Sequence, residues 1–414
     1  MTTTPATDTR FEADSPLQRS RLSRPSFTPD LTGVQGQGAG SVGTLPRAAA
    51  ASTDTGYEPQ PGDLPLPRNL TFEPRDWQII AKYWYPVSKV EDVTEGPTGV
   101  TLLDMPLVLY RADGVTTVAD DLCPHRGMKL SLGESQHDGK GLKCPYHGLR
   151  FGSNGECTDI PAHPKNRIPA KMNLNSYAVE ERYGLVWVCL AAKPGAVPGV
   201  DTVADIPPVP HWDDEGYQQI NCPIIDIEAF AGRQVEGFLD VAHFAFVHAP
   251  SFALADQPEV PDYTPVVISD GFEAEYWSTM PNVPHTATEA VAAIPEGFNW
   301  LRHFRLHVPF TATLVVHFPE GAVLSMMNAA CPVSAKKTRL FDARCRNFDT
   351  DQPVQDVYDF NVQVFEEDRA MVEAQKPENL PLDPALEVHI PADKSSIAYR
   401  RALRGIGLSE FFTV

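Results

Sequence analysis

The sequence predicts an α+β protein, with a β-rich domain followed by a domain of mixed strand and helix. Three observations predict it. Short β-like runs separated by turn signals fill residues 100–190. Runs that read as sheet recur over residues 301–328. A single long segment, 354–375, then carries the apolar stripe of a helix.

Residues 1–65 are rich in Thr, Ser, Pro, Gly and Ala and read as a disordered tail. Gly38-Ala-Gly40-Ser-Val-Gly43 within it is a literal GxGxxG. Such a motif binds dinucleotides only between a strand and a helix, and neither flanks it here. Asp8, Glu12 and Asp14 argue against a transit peptide. Order is expected from near Trp77. Val100–Leu103, Leu107–Tyr110 and Thr116–Ala119 are the first strands, with turns at Ala112-Asp-Gly114 and Ser153-Asn-Gly155. Gly184–Leu190 reads as a buried strand closing the first domain, 66–200. The Pro-rich stretch Pro194–Pro210 marks the boundary to the second, 201–414. There, Leu301–Val308, Thr311–Phe318 and Ala322–Asn328 read as sheet.

Composition excludes several classes. Hydrophobic residues make up 42% and charged residues 21%, as in ordinary globular proteins. No apolar run reaches the ~20 residues that span a bilayer, and the N-terminus has no secretory h-region. A net charge of -20 without a basic patch argues against nucleic acid. Seven cysteines, an odd number scattered along the chain, do not make a secreted disulfide framework. They fit a reducing cytoplasm and a few metal-binding thiols. In that setting the sequon Asn69-Leu-Thr71 is a chance match.

The strongest motif is Cys123-Pro-His125, followed by Cys144-Pro-Tyr-His147. Two thiolates and two imidazoles suit Zn2+ or a [2Fe–2S] cluster. Zinc ligands usually come as a Cys pair and a His pair, whereas each loop here mixes one of each. That arrangement lets the cysteines hold one iron and the histidines the other. Gly127 and Gly148 are expected to let backbone approach the cluster sulfurs. His137 and His163 read as loop residues, and the other five cysteines as core.

Cys123-Pro-His-Arg-Gly127 and Cys144-Pro-Tyr-His-Gly148 resemble the Rieske signature. Rieske proteins of respiratory and photosynthetic complexes carry an extra, disulfide-bonded Cys in each loop. Met128 and Tyr146 stand at those positions. The resemblance is therefore to the disulfide-free oxygenase branch. The stretch between His125 and Cys144 is slightly long for that branch, which places a small insertion around Gln136 to Lys140.

A second constellation is Glu236-Gly-Phe-Leu-Asp240-Val-Ala-His243-Phe-Ala-Phe-Val-His248. On a helix Asp240 and His243, at i and i+3, share a face. His243 and His248, at i and i+5, stand about 140° apart on a regular helix. They converge on one metal only if the helix bulges or ends between them. Two His and a carboxylate form the facial triad of O2-activating Fe(II) sites. The 354–375 helix offers Glu366, Glu367 and Asp368. With Phe365 at 0° and steps of about 100°, Val354, Val357, Tyr358 and Val372 fall between about -80° and +20°. Asp368 falls near -60°, inside that apolar face, and Glu366 and Glu367 fall on its flanks. A carboxylate there needs compensation, which a metal or an Arg would supply.

This segment, with Phe365-Glu-Glu-Asp368, is similar to the iron-binding elements of Rieske oxygenase α subunits. The resemblance implies that His243, His248 and Asp368 bind iron. It implies that Asp240 bridges a Rieske histidine of one subunit to an iron-site histidine of the next. Gly237 stands where the family usually has Asn.

The chain looks most like the α-only members, which demethylate vanillate, dicamba or methylxanthines. The resemblance implies a β-rich Rieske domain, a helix-grip (START-like) catalytic domain with an antiparallel sheet, and a homotrimer. It implies monooxygenation of an aromatic or heterocyclic small molecule, often at a methyl carbon that leaves as formaldehyde. Ring cis-dihydroxylation is the alternative. O2 is the oxidant, and NAD(P)H acts only through a separate reductase or ferredoxin. A Rieske electron carrier would need neither the second domain nor the His–His–Asp set. Trp300, His303, His307 and Asn328 are candidate pocket residues, each with a structural role as the simpler reading.

Overall fold

A computed structural model describes residues 57–93, 96–135, 141–284, 294–410 and 412–413. Most of the expected tail, the GxGxxG stretch, His137 and the expected insertion at 136–140 lie outside the described residues. Residues 57–65 belonged to the tail reading, yet Leu64 exchanges two hydrogen bonds with the Gln78 side-chain amide. Packing thus starts earlier than Trp77. Leu64, Leu66 and Leu70 supply the apolar contacts that hold this stretch to the core.

Among the described residues the first domain forms from ten short strands, whose alternation and turn residues favour tight antiparallel pairing. β1 (Tyr85–Lys89), β10 (Leu185–Cys189) and β9 (Ala178–Arg182) make one sheet. β2 (Thr98–Leu102), β3 (Met105–Ala112) and β4 (Val115–Asp120) make a second. β5 (Glu134–Ser135), β6 (Leu142–Lys143), β7 (Arg150–Phe151) and β8 (Cys157–Asp159) make a third. Asp113 and Gly114 both have positive φ, which matches the Asp-Gly signal in the β3–β4 turn. β10 is buried at every position, as its unbroken apolar run requires. Helix α1 (Pro74–Ile80) starts with Pro at its first turn and buries Trp77, whose Nε1 donates to the Leu103 carbonyl at 2.8 Å.

The second domain is one antiparallel eight-stranded sheet. Its order is β11 (Gln218–Asn221), β18 (Lys337–Arg346), β17 (Val323–Ser334), β16 (Thr311–His317), β15 (Trp300–His307), β14 (Gly271–Ser278), β13 (Val266–Ile268). β12 (Ile225–Ile227) also pairs β18. The expected strands stand within a residue or two of their places, except that β17 runs on to Ser334. Among the described residues, helices α2 (Ala231–Leu239), α3 (Phe244–Val247), α4 (Gln355–Val372) and α5 (Lys394–Gly405) accompany it.

The main core spans both domains and includes Trp84, Trp187, Phe230, Phe304 and Phe341. Leu103 and Asp104 donate backbone hydrogen bonds to the Pro332 and Val333 carbonyls on β17, tying the two domains together. A separate small core, with Tyr110, Leu142 and Phe151, lies under the loops of Cys123 and Cys144.

Two buried arginines fix α2 against α5. Arg233 Nη1 donates to Glu236 at 3.0 Å and Arg400 Nε donates to the other Glu236 oxygen at 2.8 Å. Glu387 accepts from both arginines. The α2 backbone is thereby set where it ends at the proposed iron residues.

Candidate metal centres

The two cysteine loops share one hydrogen-bond pattern. Cys123 N donates to Met128 O at 2.8 Å, and Cys144 N donates to Leu149 O at 2.8 Å. Gly127 N returns to Cys123 O at 2.9 Å, and Gly148 N to Cys144 O at 3.1 Å. Both glycines have φ near +70°, 67° and 71°, which a side chain would strain. That left-handed turn is what requires glycine at 127. Space does not, because a Cβ there would meet only Leu122 Cδ1, at 3.7 Å. Cys123 and Cys144 are buried, while His125 and His147 are exposed, with ring centroids 4.6 Å apart. Burial pushes the Cys123 thiol up to about 11. A bound cation would oppose that shift and favour the thiolate. Two buried thiols behind two surface imidazoles fit a cluster with one inner and one outer iron. The other five cysteines are free and buried, as core residues should be. His163 is an exposed loop residue.

The second centre departs from the helical expectation. α2 stops at Leu239, and Asp240 is extended, with φ -79° and ψ 136°. Asp240 and His243 therefore do not share a helix face. Asp240 Oδ1 accepts from Ala242 N at 2.9 Å, a local turn that carries Oδ2 to 3.0 Å from His243 Nδ1. The short helix α3 then fills the space between the two histidines, and no bulge forms. Nor does the helix end between them: His243, with φ -78° and ψ -16°, and His248, with φ -98° and ψ 12°, cap the two ends of α3, so the rings meet without the bulge or the end that the spacing required.

His243 Nε2 and His248 Nε2 stand 3.0 Å apart. Asp368 Oδ1 is 3.1 Å from the second and 3.5 Å from the first. Cis donors about 2.1 Å from an octahedral ion stand about 3.0 Å apart, so this triangle fits one face of such an ion. Among the described residues this is the one His/Cys/Asp/Glu group found within 4.8 Å. Each histidine turns its other nitrogen to a carboxylate. His243 Nδ1 meets Asp240, and His248 Nδ1 meets Glu367 Oε2 at 2.8 Å. Nδ1–H donation to a carboxylate leaves Nε2 as the lone-pair donor. Burial opposes charge on both His248 and Asp240. Asp368 and Glu367 nevertheless raise the His248 pKa, and the His243 hydrogen bond lowers that of Asp240.

Asp368 lies on the α4 stripe that buries Asn361, Phe365 and Val372, as its phase required. Glu367 was expected on a flank. There it also accepts from Ser251 Oγ at 2.8 Å, a role that no sequence spacing announces.

The triad opens on a cavity of about 80 Å³ lined by six phenylalanines together with Leu314 and Met326. Gly237 also lines it, and a Cβ there would meet Val372 Cγ2 at 3.6 Å. The four candidate pocket residues do not line it. His303 and His307 have the opposite strand parity to Phe304, which does. His307 Nδ1 instead meets Asp270 at 3.0 Å. Trp300 packs edge-on against Phe298 and Phe318, and Asn328 is fully buried.

Comparison with known proteins finds two domain families along the chain. The Rieske [2Fe-2S] domain family matches residues 83–178, and the vanillate O-demethylase oxygenase C-terminal domain family matches residues 227–407. Methylxanthine N1-demethylase NdmA of Pseudomonas putida is 30% identical over 337 residues, 79% of this chain and 89% of that one. The oxygenase component of dicamba O-demethylase from Stenotrophomonas maltophilia is 35% identical over 175 residues, 41% of this chain and 48% of that one. The solved structure of Pseudomonas putida NdmA with caffeine superposes with a TM-score of 0.67 at 29% identity, covering 80% of this chain and 91% of that one. Fold and sites together define an oxygenase component with an iron–sulfur domain and a mononuclear iron domain. The chain belongs to the Rieske non-heme iron oxygenases. It is an oxidoreductase that uses a [2Fe–2S] cluster and mononuclear iron, and a partner reductase or ferredoxin supplies its electrons. No helix among the described residues is long and apolar enough to cross a membrane.

Proposed function

We propose that this chain removes a methyl group from an aromatic or heterocyclic compound by monooxygenation. One atom of O2 enters a methoxy or N-methyl C–H bond, the other leaves as water, and two electrons arrive from the reductase. The hydroxymethyl product then breaks down to formaldehyde and the demethylated compound.

The observation that carries this reading is the triangle of His243, His248 and Asp368, which opens on an apolar cavity. Three donors on one face of an ion leave positions for O2 and substrate. When bound there, the iron supplies O2 activation. The rings of Phe238, Phe304 and Phe365 keep bulk water from the reacting bond, and Asp240 and Glu367 hold the two imidazoles in register. Cys123 and Cys144 hold one iron of the cluster, and His125 and His147 the other. Asp240 carries electrons across a subunit junction in a homotrimer. The partly exposed Asp240 side chain and the exposed Rieske histidines support that role. Seven unpaired cysteines support a cytoplasmic site of action. The relatives' names, a methylxanthine N1-demethylase and a dicamba O-demethylase, support demethylation.

The test is product analysis. Purified oxygenase is supplied with a reductase, NADH and 18O2 over a panel of methoxy- and N-methyl-substituted rings. Formaldehyde equimolar with the demethylated product is expected. Cis-diol products carrying two labelled oxygens would replace this reading with dihydroxylation.

A further inference from the structure

The cavity's outer wall is one row of residues across the sheet. Phe304 of β15 pairs Leu314 of β16, Leu314 pairs Met326 of β17, and Met326 pairs Arg344 of β18. All four line the cavity. Three apolar side chains thus lead to one guanidinium. From this row, and on the reading of the cavity as the substrate site, we propose that the substrate is an uncharged ring compound. A hydrogen-bond acceptor on it faces Arg344, and Asp342 is the specificity residue that excludes anions.

Arg344 is not a free cation. Its Nε donates to Asp342 Oδ1 at 2.8 Å and its Nη2 to Oδ2 at 2.7 Å. Both residues are buried, and the pair sits at i and i+2 on the same face of β18. Asn361 Nδ2 braces the same Asp342 oxygen at 3.1 Å. Arg344 Nη1 has no protein partner among the described residues, so its N–H groups remain for a ligand. A fork-paired guanidinium donates hydrogen bonds but offers no net charge.

Among the described residues no other Arg or Lys lines the cavity. Residues 285–293, which lie outside the described residues, contain neither. Arg302 is the nearest alternative, two residues from Phe304. It is fully buried, spent on Ser278 Oγ and the Met280 and Pro281 carbonyls, and screened by the rings of Phe244 and Trp300. The metal end is no more welcoming to an anion. A divalent iron there is outnumbered by the carboxylates of Asp368, Asp240 and Glu367. A carboxylate entering this apolar space would lose its water and gain no unpaired cation, whereas a carbonyl or ring nitrogen would gain the Nη1 donors.

The test uses the iron-loaded holoenzyme and matched pairs of probes: methoxy- and N-methyl-substituted single and fused rings, each as carboxamide and as carboxylate. Binding is read by isothermal titration calorimetry and by the EPR signal of the nitrosylated Fe(II) site. The best carboxamide is expected to bind at least about tenfold tighter than its carboxylate. Asp342→Asn frees the Arg344 charge and is expected to narrow or reverse that ratio. If this variant loses the Rieske spectrum or fails to fold, the neutral double variant Asp342→Asn/Arg344→Gln serves instead. In it, carboxamide binding should weaken while carboxylates stay weak. The inference falls if carboxylates bind the wild type as well as carboxamides do, or if no carboxamide binds. It also falls if the preference is unchanged in a folded Asp342→Asn protein. Product analysis separates the two readings. Carboxylates that bind and are demethylated sink the charge inference alone. Carboxamides that bind and are never oxidised sink the demethylation reading alone.

Discussion

Glu367 and Asp368 grip opposite nitrogens of one imidazole: Glu367 Oε2 lies 2.8 Å from His248 Nδ1, and Asp368 Oδ1 lies 3.1 Å from His248 Nε2. Two adjacent carboxylates on α4 thereby meet different edges of the ring, one on the edge that faces His243 Nε2 and one behind it. Asp368→Ala is expected to empty the mononuclear site while leaving the Rieske spectrum intact. Glu367→Gln should keep the iron but weaken its affinity about 10–100-fold. Iron quantification after chelator competition checks both, and the reverse ranking would exchange the two roles.

Cys144→Ser is expected to remove the visible absorbance of the cluster, because thiolate-to-iron charge transfer supplies those bands. Cys144 is buried and opens a loop whose two backbone hydrogen bonds repeat those of the Cys123 loop. A folded variant with an unchanged spectrum would reject the assignment of the four Rieske ligands.

Asp240 Oδ2 touches His243 Nδ1, and its side chain is still 30% exposed, open to a second partner. A Cys123→Ser chain and a His248→Ala chain should each be inactive alone. Co-expressed, they should regain part of the activity, since some junctions pair an intact cluster with an intact iron. Adding Asp240→Asn to the Cys123→Ser chain should abolish the rescue. Purified mixed oligomers that stay inactive would exclude the inter-subunit route.

Glu236→Ala would leave the buried guanidiniums of Arg233 and Arg400 sharing the Glu387 carboxylate, with the Pro377 carbonyl as a further acceptor for Arg233. Breaking a buried network from one side costs about 3–5 kcal/mol. A lowered urea midpoint, followed by tryptophan fluorescence, is the expected result. A shift within error would mean that water or Glu387 compensates fully.

Much of this was legible before any fold was known. The mixed Cys/His loops are local chemistry, and spacing alone separates them from zinc pairs. Asp368 was legible because a helix has a fixed phase, so a carboxylate on the α4 apolar stripe stands out. The strands of the second domain were legible from their apolar runs, but their facing was not assigned. Trp300, His303, His307 and Asn328 were singled out by residue type; strand parity turns the two histidines away from Phe304, while Trp300 and Asn328 share the parity of Phe304 and Met326 but stand at other points along their strands, outside the cavity lining.

By itself, then, the sequence determined the candidate ligand types, their loops and the helix phase, since each depends on residues a few positions apart. Only the tertiary structure decided which carboxylate meets which nitrogen and which guanidinium reaches the cavity. Glu367 meets His248 across 119 positions of chain. The Phe304–Leu314–Met326–Arg344 row exists only once four strands pair in register. The end of α2 at Leu239 belongs with these, as its network reaches Arg400 and Glu387. Such contacts depend on how distant segments pack, and local periodicity carries no record of that.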